Sequence, residues 1–521
     1  LKKHTLVPLS EAIQNIHFPP DLGALYSATD RLKFDELFFL QLMLAMKKNG
    51  LVEKPGISFR TESPLARRLV DALPFELTKA QRRVLKEIAT DMGATPPMNR
   101  LLQGDVGSGK TIVAALSALV AIDNGYQVAF MAPTEVLAEQ HYKTLGAYLS
   151  GMPVNVRLLI GGQKKKLRED ILEDIRSGGA ALVVGTHALI ESNVNFHKLG
   201  LVIIDEQHRF GVLQRATLQQ KGTTPDVLVM TATPIPRTLA MTLYGDLDIS
   251  TIDELPANRR LIKTAVRTES QKQKVYDFVK SEVQSGRQVY IVFPLIEESE
   301  KLDLKAATKE FELLQKKVFP EASLGLLHGR MKSEEKDDVM SRFKSGKIHI
   351  LVSTTVIEVG IDVPNASVMI IENAERFGLS QLHQLRGRVG RGTDQSYCIL
   401  ISNAQLYAKS LKGLDPDELE REELNAKTRL ETMVNTGDGF KIAEVDLRLR
   451  GPGDFFGTKQ SGVPGLRLAN LVEDVELVSR ARTEAFDLVH RDPQLRDPAN
   501  LSIRHYFESH YKNLIALGET S

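Results

Sequence analysis

The segment Gly104–Thr111 constrains the fold of this chain more than any other feature. It reads Gly-Asp-Val-Gly-Ser-Gly-Lys-Thr and matches the pattern G-x-x-x-x-G-K-[ST] in full. The apolar pair Leu101-Leu102 precedes it, and a helical run over 112–124 follows it. Glycines let the backbone wrap closely enough for its N–H groups to point at phosphate oxygens, and the helix N-terminus adds a favourable dipole. The segment therefore predicts a strand, a phosphate-binding loop and a helix within a parallel α/β sheet.

Every residue of this loop is a candidate contact for a nucleoside triphosphate. We expect Lys110 to bridge the β- and γ-phosphates and Thr111 to ligate Mg²⁺. The other loop residues that we expect to contact the nucleotide are Gly104, Asp105, Val106, Gly107, Ser108 and Gly109. The loop predicts an NTPase but leaves the use of the energy open, since adenylate kinases, GTPases and transporters carry the same pattern.

Short apolar runs alternate with helical stretches along most of the chain, which is long enough, at 521 residues, for three or four domains. Such runs are typical of strands buried on both faces of a parallel sheet. They fall into two successive arrays, which predict an α/β fold with two tandem parallel-sheet domains. The first array contains runs at 101–103, 128–132, 157–160, 181–184, 201–204 and 227–230, and the second contains runs at 289–293, 324–327, 348–352, 368–371 and 397–401.

Helices are predicted outside the arrays. The apolar stretch 28–49 predicts a long helix, with Gly50 placed to end it. Thr78 is a suitable N-cap for a helix that runs to Met92, where Gly93 stops it.

Composition excludes several classes of protein. Lys plus Arg number 67 and Asp plus Glu number 66, so the net charge of +1 excludes a polybasic tail protein, although a local basic patch would still suffice for nucleic acid. No apolar run reaches the roughly 18 residues that a spanning helix needs, so we expect no membrane partner. The single cysteine, Cys398, excludes an intrachain disulfide framework and indicates a buried core thiol. Because the chain begins at Leu1, we treat it as a fragment.

An acidic pair supports the nucleotide prediction. The apolar run 201–204 ends in Asp205-Glu206-Gln207-His208. A carboxylate at the end of a strand can hold the Mg²⁺ of a bound nucleotide, so Asp205 is the second predicted metal ligand. Glu206 is then the natural general base for the attacking water. Zinc is not expected, because nothing around His208 has the spacing of zinc ligands.

Motifs in both arrays resemble those of superfamily 2 helicases. In that family a glutamine motif before the phosphate loop reads adenine, and here Phe75, Thr78 and Gln81 match it. An amide suits this role because it can pair bidentately with the adenine edge. The resemblance extends to the strand-contacting, coupling and nucleotide-contacting motifs of the family, which here correspond to Pro133, Thr134, Glu135, Gly185, Thr186, His187, Thr231, Thr233, Thr354, Thr355, Gly360 and Asp362.

The last of these motifs, at 384–391, supplies arginines from the second array. From Arg376 to Gly392, both included, the chain has four arginines and no acidic residue. A guanidinium from the second domain stabilises the γ-phosphoryl charge only when the cleft between the domains closes. Arg388 and Arg391 are the candidates, and with Lys110 and Glu206 they complete the predicted catalytic set.

Longer stretches narrow the resemblance to two families of bacterial duplex translocases. The RecG branch-migration helicases and the transcription-repair coupling factors are the two families. Three segments carry the resemblance to them: 202–211, 230–237 and 381–391. Arg237, in the second segment, is a further candidate for contact with DNA or for coupling. Both families carry a translocation motif after the second motor domain, a helical hairpin and loop that pushes on duplex DNA, and here 437–462 matches it. Arg448, Arg450 and Gln460 are our candidates within it. Four features favour RecG over the coupling factors. They are Gln207, the segments 295–300 and 329–332, and the short tail after the motif.

The resemblance implies an architecture, an activity and partners. It implies a helical connector at 1–62 that follows a missing wedge domain, two RecA-like motor domains at 63–256 and 257–410, and a small translocation domain at 411–521. It implies ATP and Mg²⁺ as cofactors and an ATP-driven double-stranded DNA translocase that remodels stalled forks and branch-migrates Holliday junctions in bacterial cytoplasm. Branched and double-stranded DNA are the expected partners of a monomer, with a single-strand DNA-binding protein as a further candidate. The alternatives are the motor of a coupling factor, an RNA helicase, or an ATP-gated DNA clamp that does not move.

Overall fold

A computed structural model gives the fold of this chain. It describes residues 6–52, 55–206, 217–231, 240, 247–256, 260–294, 308–354, 363–392, 394–403, 416–450, 466–471 and 473–520. The described helices are α1 (Leu9–His17), α2 (Leu22–Val52), α3 (Pro64–Ala72), α4 (Lys79–Met92), α5 (Lys110–Asp123), α6 (Glu135–Tyr148), α7 (Lys165–Ser177), α8 (Lys272–Gln284), α9 (Ser333–Lys344), α10 (Leu379–Arg386), α11 (Pro416–Asn435), α12 (Gly439–Arg450), α13 (Val475–Arg491) and α14 (Leu501–Thr520).

The first sheet has seven strands, and every pairing that the structure describes within it is parallel. In space they follow the order β3-β4-β2-β5-β6-β1-β7. Both faces of the sheet are buried, because neighbours such as Leu101 and Leu102 pack into separate cores on opposite faces. The strands are β1 (Asn99–Gly104), β2 (Gln127–Met131), β3 (Val156–Leu159), β4 (Leu182–Gly185), β5 (Leu199–Asp205), β6 (Asp226–Thr231) and β7 (Asp248–Ile252).

The second sheet has six strands in the order β10-β11-β9-β12-β13-β8, again with parallel pairings throughout the described residues. They are β8 (Lys263–Arg267), β9 (Gln288–Val292), β10 (Leu324–Leu327), β11 (Ile350–Ser353), β12 (Ala366–Ile371) and β13 (Tyr397–Ile401). Two parallel sheets confirm the predicted α/β class with two RecA-like lobes. The predicted boundary between residues 256 and 257 remains a prediction, and it lies between β7 and β8.

Sequence reasoning missed one strand in each array. Both β7 and β8 lie at an edge of their sheet. Their sequences, Asp-Ile-Ser-Thr-Ile and Lys-Thr-Ala-Val-Arg, are only partly buried, so neither forms the continuous apolar run by which the other strands were identified.

Helices flank the two sheets at the N-terminal and C-terminal ends of the chain. The predicted end of the long first helix at Gly50 was wrong, since α2 continues to Val52. Helix α4 has its predicted limits: Thr78 caps it and Gly93 follows it. Helix α13 packs along α2 through an apolar cluster that includes Phe34, Leu37 and Ala481. Among the described residues no helix is long and apolar enough to cross a membrane.

Candidate functional site

The predicted site residues of the first lobe lie mainly at the carboxyl ends of its parallel strands. The strands β4, β2, β5, β6 and β1 are adjacent in that order, and each carries a predicted motif where it ends. In open parallel sheets ligands bind beyond the carboxyl ends of the strands. The residues at these ends, in the same order, are Gly185, Thr186 and His187; Pro133, Thr134 and Glu135; Asp205 and Glu206; Thr231; and the loop Gly104–Thr111.

The phosphate loop has the backbone that its glycines allow. Gly107 and Gly109 have φ angles of 78° and 87°, in the left-handed region that favours glycine. Gly109 is the N-cap of α5, whose first residue is Lys110. The Lys110 ammonium is buried and donates to the carbonyl oxygens of Gly104, at 2.7 Å, and Asp105, at 3.0 Å. The lysine therefore lies within the concave side of its own loop, where a phosphate would replace these carbonyls as its partner.

Gln81 bonds to the loop as well as to its own helix. Its side-chain Oε1 accepts a hydrogen bond from Thr78 N at 2.9 Å, while Thr78 Oγ1 accepts from Gln81 N, which together form a capping box. Its Nε2 donates to Ser108 O at 2.8 Å. Both polar atoms of the amide thus bond to the protein, and any bidentate pairing with adenine would use the second N–H of Nε2 and the second lone pair of Oε1. Phe75, the other member of the predicted motif, is partly exposed ahead of the helix.

Asp205 is held in place by a residue that sequence reasoning missed. His141, on α6, lies with Nε2 2.7 Å from Asp205 Oδ2, and both side chains are buried. Burial alone would raise the pKa of Asp205, but the hydrogen bond to His141, the charge of Lys110 and the Glu206 N–H together hold that pKa below its ordinary value. Asp205 is therefore an ionised carboxylate close to Lys110 at neutral pH.

The donor set near the loop fits magnesium. An ionised Asp205 carboxylate and the Thr111 hydroxyl offer hard oxygen ligands, and Mg²⁺ is usually bound through one or two carboxylates together with substrate phosphates. The described residues contain no cluster of three or more His, Cys, Asp or Glu side chains that could hold a metal without such phosphates. The arrangement suits an ion that arrives with a nucleotide.

Glu206 has an unusual backbone for its residue type. Its φ angle is 54°, in the left-handed region, and its N–H donates to Asp205 Oδ1 at 3.1 Å. A residue other than glycine in this region is uncommon and often lies at a functional site. The turn keeps Glu206 next to the predicted metal ligand.

The second lobe reaches the phosphate loop through α10 and the residues that follow it. His383 Nε2 lies 2.6 Å from Asp105 Oδ1, and Gly387 packs against Val106. Arg388 and Arg391, the predicted catalytic arginines, are half-buried and follow these contacts directly. The pKa of Asp105 would be raised by burial, but the hydrogen bond to His383, the Val106 N–H and the charge of Lys110 hold it below its ordinary value.

The same helix is bonded to α11 and α12, the two successive helices that we call the C-terminal hairpin. Arg386 Nη1 donates to the carbonyl oxygens of Met433, at 2.8 Å, and Thr436, at 2.9 Å, where α11 ends. Ser380 Oγ donates to Asp446 Oδ2, on α12, at 2.6 Å. Arg448 lies exposed on α12, within the segment 437–462 that the resemblance predicted to push on DNA.

The remaining predicted DNA and coupling residues have varied local settings. Thr134 caps α6 by accepting from Leu137 N, and Ala132 N donates to Gly185 O at 2.9 Å, which ties the two predicted strand-contacting motifs together. Thr354 is buried at the end of β11. Several predictions lie outside the described residues: those for Thr233, Arg237, Thr355, Gly360, Asp362 and Gln460, and for the side chain of Arg450.

Sequence reasoning missed two histidines in this region. His141 lies seven residues beyond Thr134, and His383 lies five residues before Arg388. Each is a polar residue that the structure buries on a helix. The only signal in the sequence was that each histidine lies close to a predicted motif.

Comparison with protein families gives three consecutive matches along the chain. The DEAD/DEAH box helicase family matches residues 78–242, and the helicase conserved C-terminal domain matches residues 270–393. The family described as ATP-dependent DNA helicase RecG, domain 3, C-terminal, matches residues 436–518.

Individual relatives are similar over nearly the whole of this chain. The ATP-dependent DNA helicase RecG of Synechocystis is 52% identical over 504 residues, which cover 96% of this chain and 59% of that protein. The protein of the same name from Streptococcus pneumoniae is 47% identical, and the match covers 96% of this chain and 72% of that protein. A solved structure described as RecG bound to a three-way DNA junction is similar with a TM-score of 0.72 at 46% identity, over 92% of this chain and 60% of that one.

Proposed function

Since this chain belongs to the RecG family of ATP-dependent DNA helicases, we propose that it is an ATP-hydrolysing motor that moves along double-stranded DNA. Its match to the RecG-specific C-terminal family over 436–518 favours RecG over the coupling-factor alternative. The chain spans about 60% of the length of several of the relatives that it matches. The activity and substrates of a whole RecG protein are therefore part of the proposal.

One observation carries the ATPase proposal: the phosphate loop, the acidic pair Asp205-Glu206 and the arginine segment (residues 381–391) converge although they come from two sheets. Asp205 lies near Lys110, and Asp105 and Val106 in the loop contact His383 and Gly387 of the arginine segment. A nucleotide bound to the loop would thus lie between groups from both lobes, as an enzyme that couples hydrolysis to lobe movement requires.

Each group has a role in the proposed hydrolysis. The loop N–H groups and Lys110 bind the β- and γ-phosphates, and Glu206 orients the attacking water and accepts its proton. Arg388 and Arg391 stabilise the charge that develops on the γ-phosphoryl group. Thr111 and Asp205 would hold Mg²⁺, which neutralises phosphate charge when it is bound.

The C-terminal hairpin is the proposed output of the motor. Helix α10 bonds to α11 through Arg386 and to α12 through Ser380, so a shift of the arginine segment is transmitted to the hairpin. Arg448 is exposed on that hairpin, where it is available to a DNA phosphate. Backbone contacts suit a motor, because phosphates position a protein without specifying a sequence. Glu135, His187, Thr231 and Thr354 belong to the proposed strand-contacting and coupling groups in the lobes.

Branched DNA is the proposed substrate of the complete protein. The family membership and the relative described as bound to a three-way junction support this choice. Remodelling of stalled forks and branch migration of Holliday junctions are the corresponding proposed activities, in a bacterial cell, with single-strand DNA-binding protein as a candidate partner.

The test compares ATP hydrolysis by this chain in the presence of linear duplex, a three-way junction, single-stranded DNA and RNA. We expect the two duplex-containing DNAs to stimulate hydrolysis most, and RNA least. Lys110→Ala should abolish hydrolysis, while Lys165→Ala, which removes an exposed lysine on α7, should leave it unchanged. Equal stimulation by RNA and duplex would contradict the choice of polymer.

A triplex-displacement assay separates movement from binding. A translocase strips a third strand from a duplex in an ATP-dependent reaction. Hydrolysis without displacement would instead support the ATP-gated clamp.

A further inference from the structure

The phosphate loop meets α10 through two positions that its sequence pattern leaves unspecified. Asp105 and Val106 are the first two variable residues of G-x-x-x-x-G-K-[ST]. Asp105 Oδ1 lies 2.6 Å from His383 Nε2, and a Cβ at residue 387 would lie 2.9 Å from Val106 Cβ, so only glycine allows this approach. His383 and Val106 are both buried. The contact is thus a packed junction between the lobes and not a surface ion pair.

The neighbours of His383 determine its protonation. Arg386 Nη2 lies 2.9 Å from His383 Nδ1. A guanidinium can only donate, so Nδ1 accepts this bond and carries no proton. The imidazole is then neutral, with its proton on Nε2, and donates to Asp105 Oδ1. A buried hydrogen bond to a carboxylate is stronger than one between neutral groups.

The junction joins the nucleotide loop to the arginine segment and to the hairpin. His383 bonds to Asp105 on one side and to Arg386 on the other, and Arg386 bonds in turn to the carbonyl oxygens of Met433 and Thr436. Arg388 follows His383 by five residues. A displacement of the loop at Asp105 therefore acts on the segment that carries the proposed catalytic arginines.

We propose that His383 is a positioning residue that docks the phosphate loop onto the arginine segment, so that Arg388 and Arg391 face the triphosphate only while Asp105 accepts its hydrogen bond. This inference rests on the ATPase function proposed above. Because the contact aligns the arginines and does not itself touch the phosphates, its loss reduces stabilisation of the transition state more than it reduces binding of ATP.

Steady-state ATPase kinetics on duplex DNA test the proposal. We expect His383→Ala to lower kcat at least tenfold while KM for ATP changes less than about threefold. His383→Gln keeps both a donor and an acceptor on the side chain and should recover most of the lost kcat. The control His505→Ala removes an exposed histidine on α14 and should leave both constants unchanged. Wild-type kcat in His383→Ala, or no recovery in His383→Gln, would overturn the proposal.

A double-mutant cycle tests the pairing itself. Asp105→Ala and His383→Ala should each lower kcat, and the double variant should be no worse than the more severe single variant, because both remove one contact. Asp105→Asn keeps an acceptor for the imidazole N–H and should recover most of the kcat that Asp105→Ala loses. Additive losses in the double variant would show that the two residues act independently and would overturn the pairing.

Fluorescence transfer in the nucleotide-free chain separates failure of this inference from failure of the ATPase proposal. Dyes at Lys165→Cys and Lys316→Cys report the distance between the lobes, and the fully buried Cys398 should not react with them. We expect His383→Ala to broaden and lower the transfer efficiency relative to the same labelled chain with His383. A chain without ATPase activity that still shows this change would refute the proposed function but support the docking contact. An unchanged distribution would overturn the docking contact.

Discussion

Gln81 offers a sharp distinction between two roles, reading of adenine and support of the phosphate loop. In the structure its Nε2 donates to Ser108 O at 2.8 Å and its Oε1 accepts from Thr78 N at 2.9 Å. Gln81→Ala removes both bonds, and at about 1 kcal/mol for each we expect the free energy of unfolding to fall by about 2 kcal/mol. The bond to Ser108 accounts for about half of this, and if that bond holds the loop in its phosphate-binding conformation, the loss of about 1 kcal/mol weakens phosphate binding by about fivefold.

A second variant tests the donor to the loop. Gln81→Glu keeps the acceptor that completes the capping box but replaces the donor with a buried carboxylate beside Ser108 O, so it should weaken nucleotide binding and lose at least as much stability as Gln81→Ala. Stability is measured by denaturant unfolding, and binding by calorimetry with ATP, GTP and inorganic tripolyphosphate. Support of the loop predicts equal weakening for all three ligands.

An effect of Gln81→Ala on ATP alone would refute support of the loop. If Gln81→Ala weakens ATP alone and leaves tripolyphosphate unchanged, then the amide reads adenine and its bond to Ser108 does not support the loop. Lys165→Ala serves again as the control for both measurements, since its side chain is exposed on α7.

Three further variants test other parts of the molecule. Glu206→Gln should still bind ATP in a filter assay while its turnover falls at least a hundredfold, since an amide cannot accept the proton of the attacking water; lost binding would count against the role as base. Arg448→Ala should retain most DNA-stimulated hydrolysis but lose triplex displacement, and unchanged displacement would exclude a pushing role. Burial raises the pKa of Asp226 to about 8, so between about pH 4 and pH 8 the folded chain holds a proton that the unfolded chain has released, and stability falls as pH rises. Asp226→Asn still accepts from Met98 N and should lessen this fall by up to about 1.4 kcal/mol per pH unit in denaturant unfolding; a slope equal to that of wild type would refute the raised pKa.

Interior strands were predictable from sequence because their physical environment leaves a local signal. A strand such as β5 is buried on both faces, so its residues are apolar without interruption. The strands β7 and β8 lie at sheet edges and carry Ser, Thr, Lys and Arg, so they resemble loops when they are read alone, whereas the edge strands β3 and β10 keep an apolar run that identified them. The predicted end of α2 was wrong for a related reason. Packing against α13 and α14 holds the helix through Gly50, where helix propensity alone predicts an end.

The residues between the two lobes also divide into those that the sequence identified and those that only the structure revealed. Gly104–Thr111 could be identified from sequence alone because strand, loop and helix are consecutive and every requirement of a phosphate loop is local. The partners of that loop are not local: His383 lies 278 residues from Asp105, and His141 lies 64 residues from Asp205. Each is a histidine among 12 in the chain, and although His383 lies within the matched segment 381–391, nothing in the sequence marks either histidine as the partner of an aspartate. The sequence by itself therefore indicated the family and predicted the chemistry of the proposed nucleotide site. Only the tertiary structure decided which side chains join the two lobes, because a hydrogen bond between distant residues depends on how two sheets pack and not on the residues beside it in the chain.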